Sequence, residues 1–261
     1  MTDIPSPDNP MPLTGHLEDL RAKIIHSLIY LAVGFIICYY FREFLVAVIK
    51  LPMNSHIQLK PTAPFVNFLK MENPHKLYFM APAEAFWMYL KTSVLSGLSL
   101  VLPFILWEIW KFISPGLMDH EKKYAIPFIL VSTLMFYLGL TFCFLIILPY
   151  AMDFLLGFSE NLVPMISAGN YVDFCLKFLL AFGFIFELPL IIIMLTRMGI
   201  VTPETLAKNR KYAILGAFIL AAFLTPTPDA FNQTLMALPI IILYEGGVVA
   251  SKILWRQRKD G

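Results

Sequence analysis

The sequence predicts an all-α integral membrane protein, with six transmembrane helices in a bent bundle and both termini on the inner side. Three observations predict it. First, 58% of the 261 residues are hydrophobic and only 15% are charged, with a mean hydropathy of +0.71, where a soluble domain carries about 25% charged residues. Second, six apolar runs stand out: Ile24–Phe41, Phe86–Phe112, Tyr124–Tyr150, Phe174–Thr196, Tyr212–Thr225 and Ala230–Leu254. Third, with six spans and inner termini, thirteen Lys and Arg fall on the inner side and seven on the outer, the asymmetry expected of inner loops. A net charge of +2 is too small to suggest a nucleic-acid partner.

The chain reads as one membrane domain, 1–261, with an inner N-terminal segment 1–23 and an inner tail 252–261. The opening stretch is polar and Pro-rich, without a basic n-region, so the first run reads as a retained anchor. The first outer loop, 43–85, holds five prolines but also Phe65, Phe68, Tyr78 and Phe79. That composition predicts a short interfacial helix or a packed cap. The third run is long enough to span with tilt. The fifth is short: Ala213 to Leu224 gives ~18 Å of helix against a ~30 Å apolar core. Thr225-Pro226-Thr227-Pro228-Asp229 cannot continue that helix. Backbone of this kind at membrane depth must be buried in protein, line a wet cavity or sit where the bilayer thins.

Pro103, Pro127, Pro149, Pro189 and Pro239 fall in or at the ends of spans, where an interior proline bends a helix. Small residues four apart, Ala217/Ala221, Gly246/Ala250 and Gly247/Ser251, predict close helix contacts. Cys38, Cys143 and Cys175 read as small core hydrophobes, since no disulfide or metal-ligand spacing accompanies them. No cofactor motif is present. No His lies clearly inside a span and neither HExxH nor GxSxG occurs, which argues against a membrane enzyme.

Three places ask for a functional account. Glu187 lies amid FLLAFGFIFELPLIIIML, where an ionisable group costs at least ~2.5–3.5 kcal/mol to insert. Burial lets such a carboxyl stay protonated and donate to a carbonyl that Pro189 frees, such as that of Ile185. It reads as a structural hydrogen bond, a contact for another helix, or a proton relay. The second place is His16-Leu17-Glu18-Asp19-Leu20-Arg21, just before the first span. It can be a plain helix start, with Thr14 as cap and acids complementing the dipole. The third is the inner loop Phe112-Ile113-Ser114-Pro115-Gly116-Leu117-Met118-Asp119-His120-Glu121-Lys122-Lys123, which can be an ordinary solvated turn. If the second and third segments meet, they form an acidic pocket on a basic face, suited to a guanidinium fork rather than an ammonium.

HLEDLR, FISPGLMDHEKK, FGFIFELP and LTPTPDAFNQTLMALP, in this order and in register with six spans, resemble the TatC subunit of the twin-arginine translocase. The resemblance implies a concave six-helix bundle with both termini cytoplasmic, in a bacterial-type inner membrane. It implies a receptor for twin-arginine signal peptides of folded proteins, working with TatA- and TatB-type single-span partners and associating with itself. It places signal-peptide binding on Asp19, with Glu18 beside it, and on Arg21, Phe112, Pro115 and Glu121. It places the intramembrane polar contact on Glu187 and Pro189, with Asp229 and Gln233 at the turn before the last span. Asp19 departs from the family's glutamate by one methylene, and Met118 stands where an aromatic is frequent. The rival reading is a proton-coupled small-solute transporter using Glu187 and Asp229; the absence of an internal repeat disfavours it.

Overall fold

A computed structural model describes residues 13–59, 66–70, 76–113, 125–157, 165–225 and 229–259. Helix α1 (Leu13–Tyr40) is followed by α2 (Arg42–Ile49), a 3-10 turn (Pro52–Asn54), and strands β1 (Ser55–Leu59), β2 (Val66–Lys70) and β3 (Leu77–Tyr78). Then come α3 (Glu84–Ile113), α4 (Ala125–Phe142), a π-helical stretch (Cys143–Ile147) and α5 (Leu148–Leu156). Strand β4 (Ile166–Ser167) leads into α6 (Ala168–Ile185), α7 (Leu188–Arg197), α8 (Pro203–Lys208), α9 (Arg210–Leu224) and α10 (Ala230–Lys259).

Among the described residues, five helical stretches are long and apolar enough to cross a membrane: Leu17–Tyr40, Glu84–Phe112, Ala125–Leu156, Ala168–Arg197 and Ala230–Trp255. The sixth, α9, has 15 residues, about 22 Å of helix, so the fifth apolar run is as short as the sequence implies. At the other end of the chain, α10 continues past Leu254 to Lys259, so most of the expected tail is helix.

Prolines divide these stretches in two ways. Pro103 and Pro239 sit inside α3 and α10. Pro149 and Pro189 instead follow irregular turns within continuous spans, at the labelled starts of α5 and α7, where the helix changes pitch around the missing N–H. The helix widens ahead of Pro149, with the Leu148 N–H reaching back five residues to the Cys143 carbonyl, a π-bulge. It tightens ahead of Pro189, with the Glu187 N–H on the Phe184 carbonyl at 3.1 Å. Helix α7 ends at Gly199 (φ 74°), and the Ile200 N–H donates to the Leu195 carbonyl at 3.0 Å, a Schellman closure that needs the left-handed residue.

Helix α1 packs mainly on α3 through Gly34 and Gly97. A Cβ on Gly34 would lie 2.8 Å from the Gly97 carbonyl oxygen, and one on Gly97 would lie 2.7 Å from the Phe35 nitrogen. Gly139 of α4 meets the Phe182 carbonyl of α6, and Gly183 of α6 meets the Phe136 ring of α4. The core runs between these elements, with Phe136, Phe178, Phe182, Ile147, Leu148 and Met236 fully buried. Of the small-residue pairs, Ala217 and Ala221 are buried and Gly247 lies against Pro189. Gly246 faces open space, so the Gly246/Ala250 contact does not form; that side of α10 points away from its neighbours.

The loop 43–85, expected to hold a short interfacial helix or a packed cap, carries a short helix packed on the bundle and a hairpin. Helix α2 has Val46 and Ile49 buried, and Tyr171 donates its hydroxyl to the Ile49 carbonyl at 2.7 Å. The hairpin is antiparallel, Ser55↔Lys70 to Leu59↔Val66. Beyond it, β3 and β4 pair in parallel, Leu77↔Ile166 and Tyr78↔Ser167. Glu84 fastens this junction: its carboxylate accepts from the Ser167 hydroxyl, the Gly169 N–H, and the N–H groups of Met80 and Ala81. Lys91 and Asp173 add an ion pair at 2.7 Å between α3 and α6.

Candidate functional site

The segment before the first span is helical. It belongs to α1, which begins at Leu13, so Thr14 falls inside the first turn rather than at the cap. One end of α1 therefore carries Glu18, Asp19 and Arg21 on a rigid element continuous with the span, and all three are exposed. Neither Glu18 nor Asp19 makes a hydrogen bond or ion pair with any described residue. Phe112, near the end of α3, is half-buried and lines an apolar groove of about 390 Å³ with Leu20, Ile24 and Ile109. The start of α1 and the end of α3 thus lie side by side, with Leu20, the residue after Asp19, at the edge of an apolar trough. Pro115 and Glu121 lie outside the described residues, as do Asp119 and Met118.

A buried charge cluster near this end has no counterpart in the sequence reading. Glu108 of α3 is 1% exposed. Its Oε1 meets Lys111 Nζ at 3.0 Å, and its Oε2 meets Lys23 Nζ of α1 at 3.4 Å and His26 Nδ1 at 3.7 Å. A buried carboxylate needs such partners. The available signal was the i,i+3 spacing to Lys111 at the end of an apolar run.

Glu187 sits at the junction of α6 and α7, half-buried. The Ser132 hydroxyl of α4 donates to its Oε2 at 2.7 Å, while Oε1 is buried without a hydrogen-bond partner. The expected bond to a proline-freed carbonyl is thus replaced by a bond to another helix. The Glu187 side chain reaches across to α4 because Gly139 and Gly183 bring α4 and α6 close together. Nothing in the sequence distinguishes Ser132 from other hydroxyls in apolar runs. Pro189 packs its backbone against Gly247, joining the same junction to α10.

Asp229 and Gln233 serve the turn between α9 and α10. Asp229 accepts from the Asn232 N–H at 2.7 Å and from its side-chain amide at 3.0 Å, the pattern of a helix cap. Gln233 donates to the Phe218 carbonyl of α9 at 3.2 Å. Asn232 is fully buried, and the Gln233 bond ties the start of α10 to α9. Among the described residues no group of His, Cys, Asp and Glu could hold a metal ion.

Residues 15–239 match the family described as Sec-independent protein translocase protein (TatC). The chain belongs to the TatC family. Relatives called Sec-independent protein translocase protein TatC include one from Desulforapulum autotrophicum, 40% identical over 95% of this chain and 86% of its own length. Another, from Carboxydothermus hydrogenoformans, is 40% identical over 95% of each. A crystal structure described as the twin arginine translocase receptor TatC in DDM superposes with a TM-score of 0.77 at 36% identity, covering 90% of this chain and 99% of that one. The protein is therefore a multi-pass membrane component of protein translocation, with the helical fold of TatC.

Proposed function

We propose that the chain is the receptor subunit that binds twin-arginine signal peptides of folded proteins and supports their proton-motive-force-driven export with TatA- and TatB-type partners. Both termini lie in the cytoplasm of a bacterial-type cell, and copies of the chain associate in the inner membrane. The observation that carries the reading is the pair of exposed carboxylates, Glu18 and Asp19, held on α1 at the membrane boundary without partners among the described residues. An unpartnered carboxylate beside an apolar groove suits a guanidinium followed by an apolar segment. The similarity to a structure described as a twin arginine translocase receptor supports it. In this reading the arginines bond Asp19, with Glu18 sharing, and Glu121. Arg21, Phe112 and Pro115 border the contact. Glu187 offers a mid-membrane polar contact to the signal or to a partner helix, and the Pro189 kink positions it. The Asp229 and Gln233 turn shapes the adjoining wall.

Photo-crosslinking of a twin-arginine peptide to the chain in native membranes tests this. Asp19→Ala and Glu121→Ala are each expected to weaken binding, by about 2–5 kcal/mol where the bound peptide desolvates the pair and about 0–1 kcal/mol where it stays exposed. Undiminished crosslinking to both variants would refute the assignment. The solute-transporter alternative loses ground because Asp229 caps α10.

A further inference from the structure

We infer that Glu108 is a positioning residue for the inner-face receptor site: it holds the Lys23 ammonium away from Asp19, leaving that carboxylate open to a guanidinium. The inference rests on the reading of Asp19 as an arginine contact. Asp19 and Lys23 are four residues apart within α1, with the acid on the N-terminal side, the spacing and order that favour a helical ion pair. That pair does not form. Lys23 is turned toward α3 instead, 3.4 Å from Glu108 Oε2, and Asp19 makes no bond with any described residue.

The competition is decided by burial. The Glu108 side chain is 2% exposed and must be neutralised where it lies, because an uncompensated buried charge is costly. Asp19 is exposed, hydrated and screened by salt, and gains little from a lysine. Glu108 therefore outcompetes it for Lys23, while Lys111 completes the neutralisation and His26 Nδ1 lies 3.7 Å away. The Lys23 side chain also borders the groove that Phe112 lines, so the pair fixes the inner end of α1 against α3.

In Glu108→Gln the carboxylate that holds Lys23 is gone, so Lys23 becomes free to fold back onto Asp19 and compete there with an incoming arginine. The loss expected in peptide affinity is about two- to fivefold, the scale of one partly exposed helical ion pair. Removing Lys23 as well takes away the competitor, so affinity should return.

The test is the Kd of a fluorescent twin-arginine peptide for the full chain in nanodiscs, measured for wild type, Glu108→Gln, Lys23→Gln and the double variant, with thermal unfolding recorded alongside. Glu108→Gln should bind about two- to fivefold more weakly, and the double variant should return to wild-type affinity. Lys23→Gln alone should bind at least as well as wild type. Wild-type affinity in Glu108→Gln, or a double variant as weak as Glu108→Gln, would overturn the inference and leave Glu108 a packing residue only. Should Glu108→Gln fail to fold, weaker binding by Lys23→Gln or by the double variant would overturn it. If wild type and Asp19→Ala bind the peptide equally, the receptor assignment of Asp19 falls, and this inference with it.

Discussion

Glu187 shows how a single costly residue is accommodated. One carboxylate oxygen takes the Ser132 hydroxyl at 2.7 Å and the other is buried without a partner. Ser132→Ala would strip the first oxygen too, so it should destabilise the chain by about 1–3 kcal/mol, the cost of leaving a buried polar group unpaired, measurable by thermal unfolding in detergent. Glu187→Gln keeps the hydrogen bond but cannot titrate. Export by that variant at the wild-type rate would exclude an obligatory proton relay, whereas lost export with intact folding would support one. The sequence showed where Glu187 lies and why it is expensive. It could not show Ser132, because a bond between residues 55 apart depends on how α4 meets α6. Glu108 was obscured for a related reason: near a span end a lone acid looks tolerable, and only its burial against Lys23 of another helix reveals its role.

At the scale of elements, glycines and caps determine which helices touch. The α1–α3 crossing has no room for a Cβ at Gly34 or Gly97. Gly97→Val should therefore separate the pair or strain it, costing about 1–3 kcal/mol, with a lower unfolding temperature as the readout; an unchanged temperature would contradict the packing. At the other side of the bundle, Asp229→Ala removes a cap and should cost about 0.5–2 kcal/mol, read in the same assay. The spans were legible because apolar runs of this length have few other uses. The short fifth span was legible too, since Pro226 and Pro228 fix its end. The hairpin β1–β2 was not, because the prolines and aromatics of the outer loop fit a packed cap of several kinds. The positions of Pro149 and Pro189 were legible but their local effect was not: the span widens into a π-turn ahead of the first and tightens ahead of the second. Gly246/Ala250 illustrates the limit of four-residue spacing, which marks a smooth stripe without saying whether another helix lies on it.

For the whole molecule, the fold separates two kinds of polar feature. Glu187 at mid-span, and Asp229 and Gln233 at the start of α10, each take at least one hydrogen bond within the protein, through Ser132, Asn232 and Phe218. The side chains of Glu18 and Asp19, just ahead of the first span, are bonded to no described residue, and a helix continuous with that span presents them. That contrast is the basis for placing recognition at the boundary and treating Glu187 as a secondary contact. The family was legible from four short motifs in order, each weak alone, because their register with six spans restricts the alternatives. The meeting of the two acidic segments was not legible, since it depends on how residues 114–124 fold. The most direct measurement is equilibrium binding of a twin-arginine peptide and its twin-lysine counterpart to the full chain in its native lipid. The account predicts that the arginine peptide binds at least about tenfold more tightly, because only the planar fork satisfies a carboxylate at two points, and that Asp19→Ala abolishes the difference. Equal affinity for the two peptides would reduce the site to a general acidic patch and contradict the receptor reading.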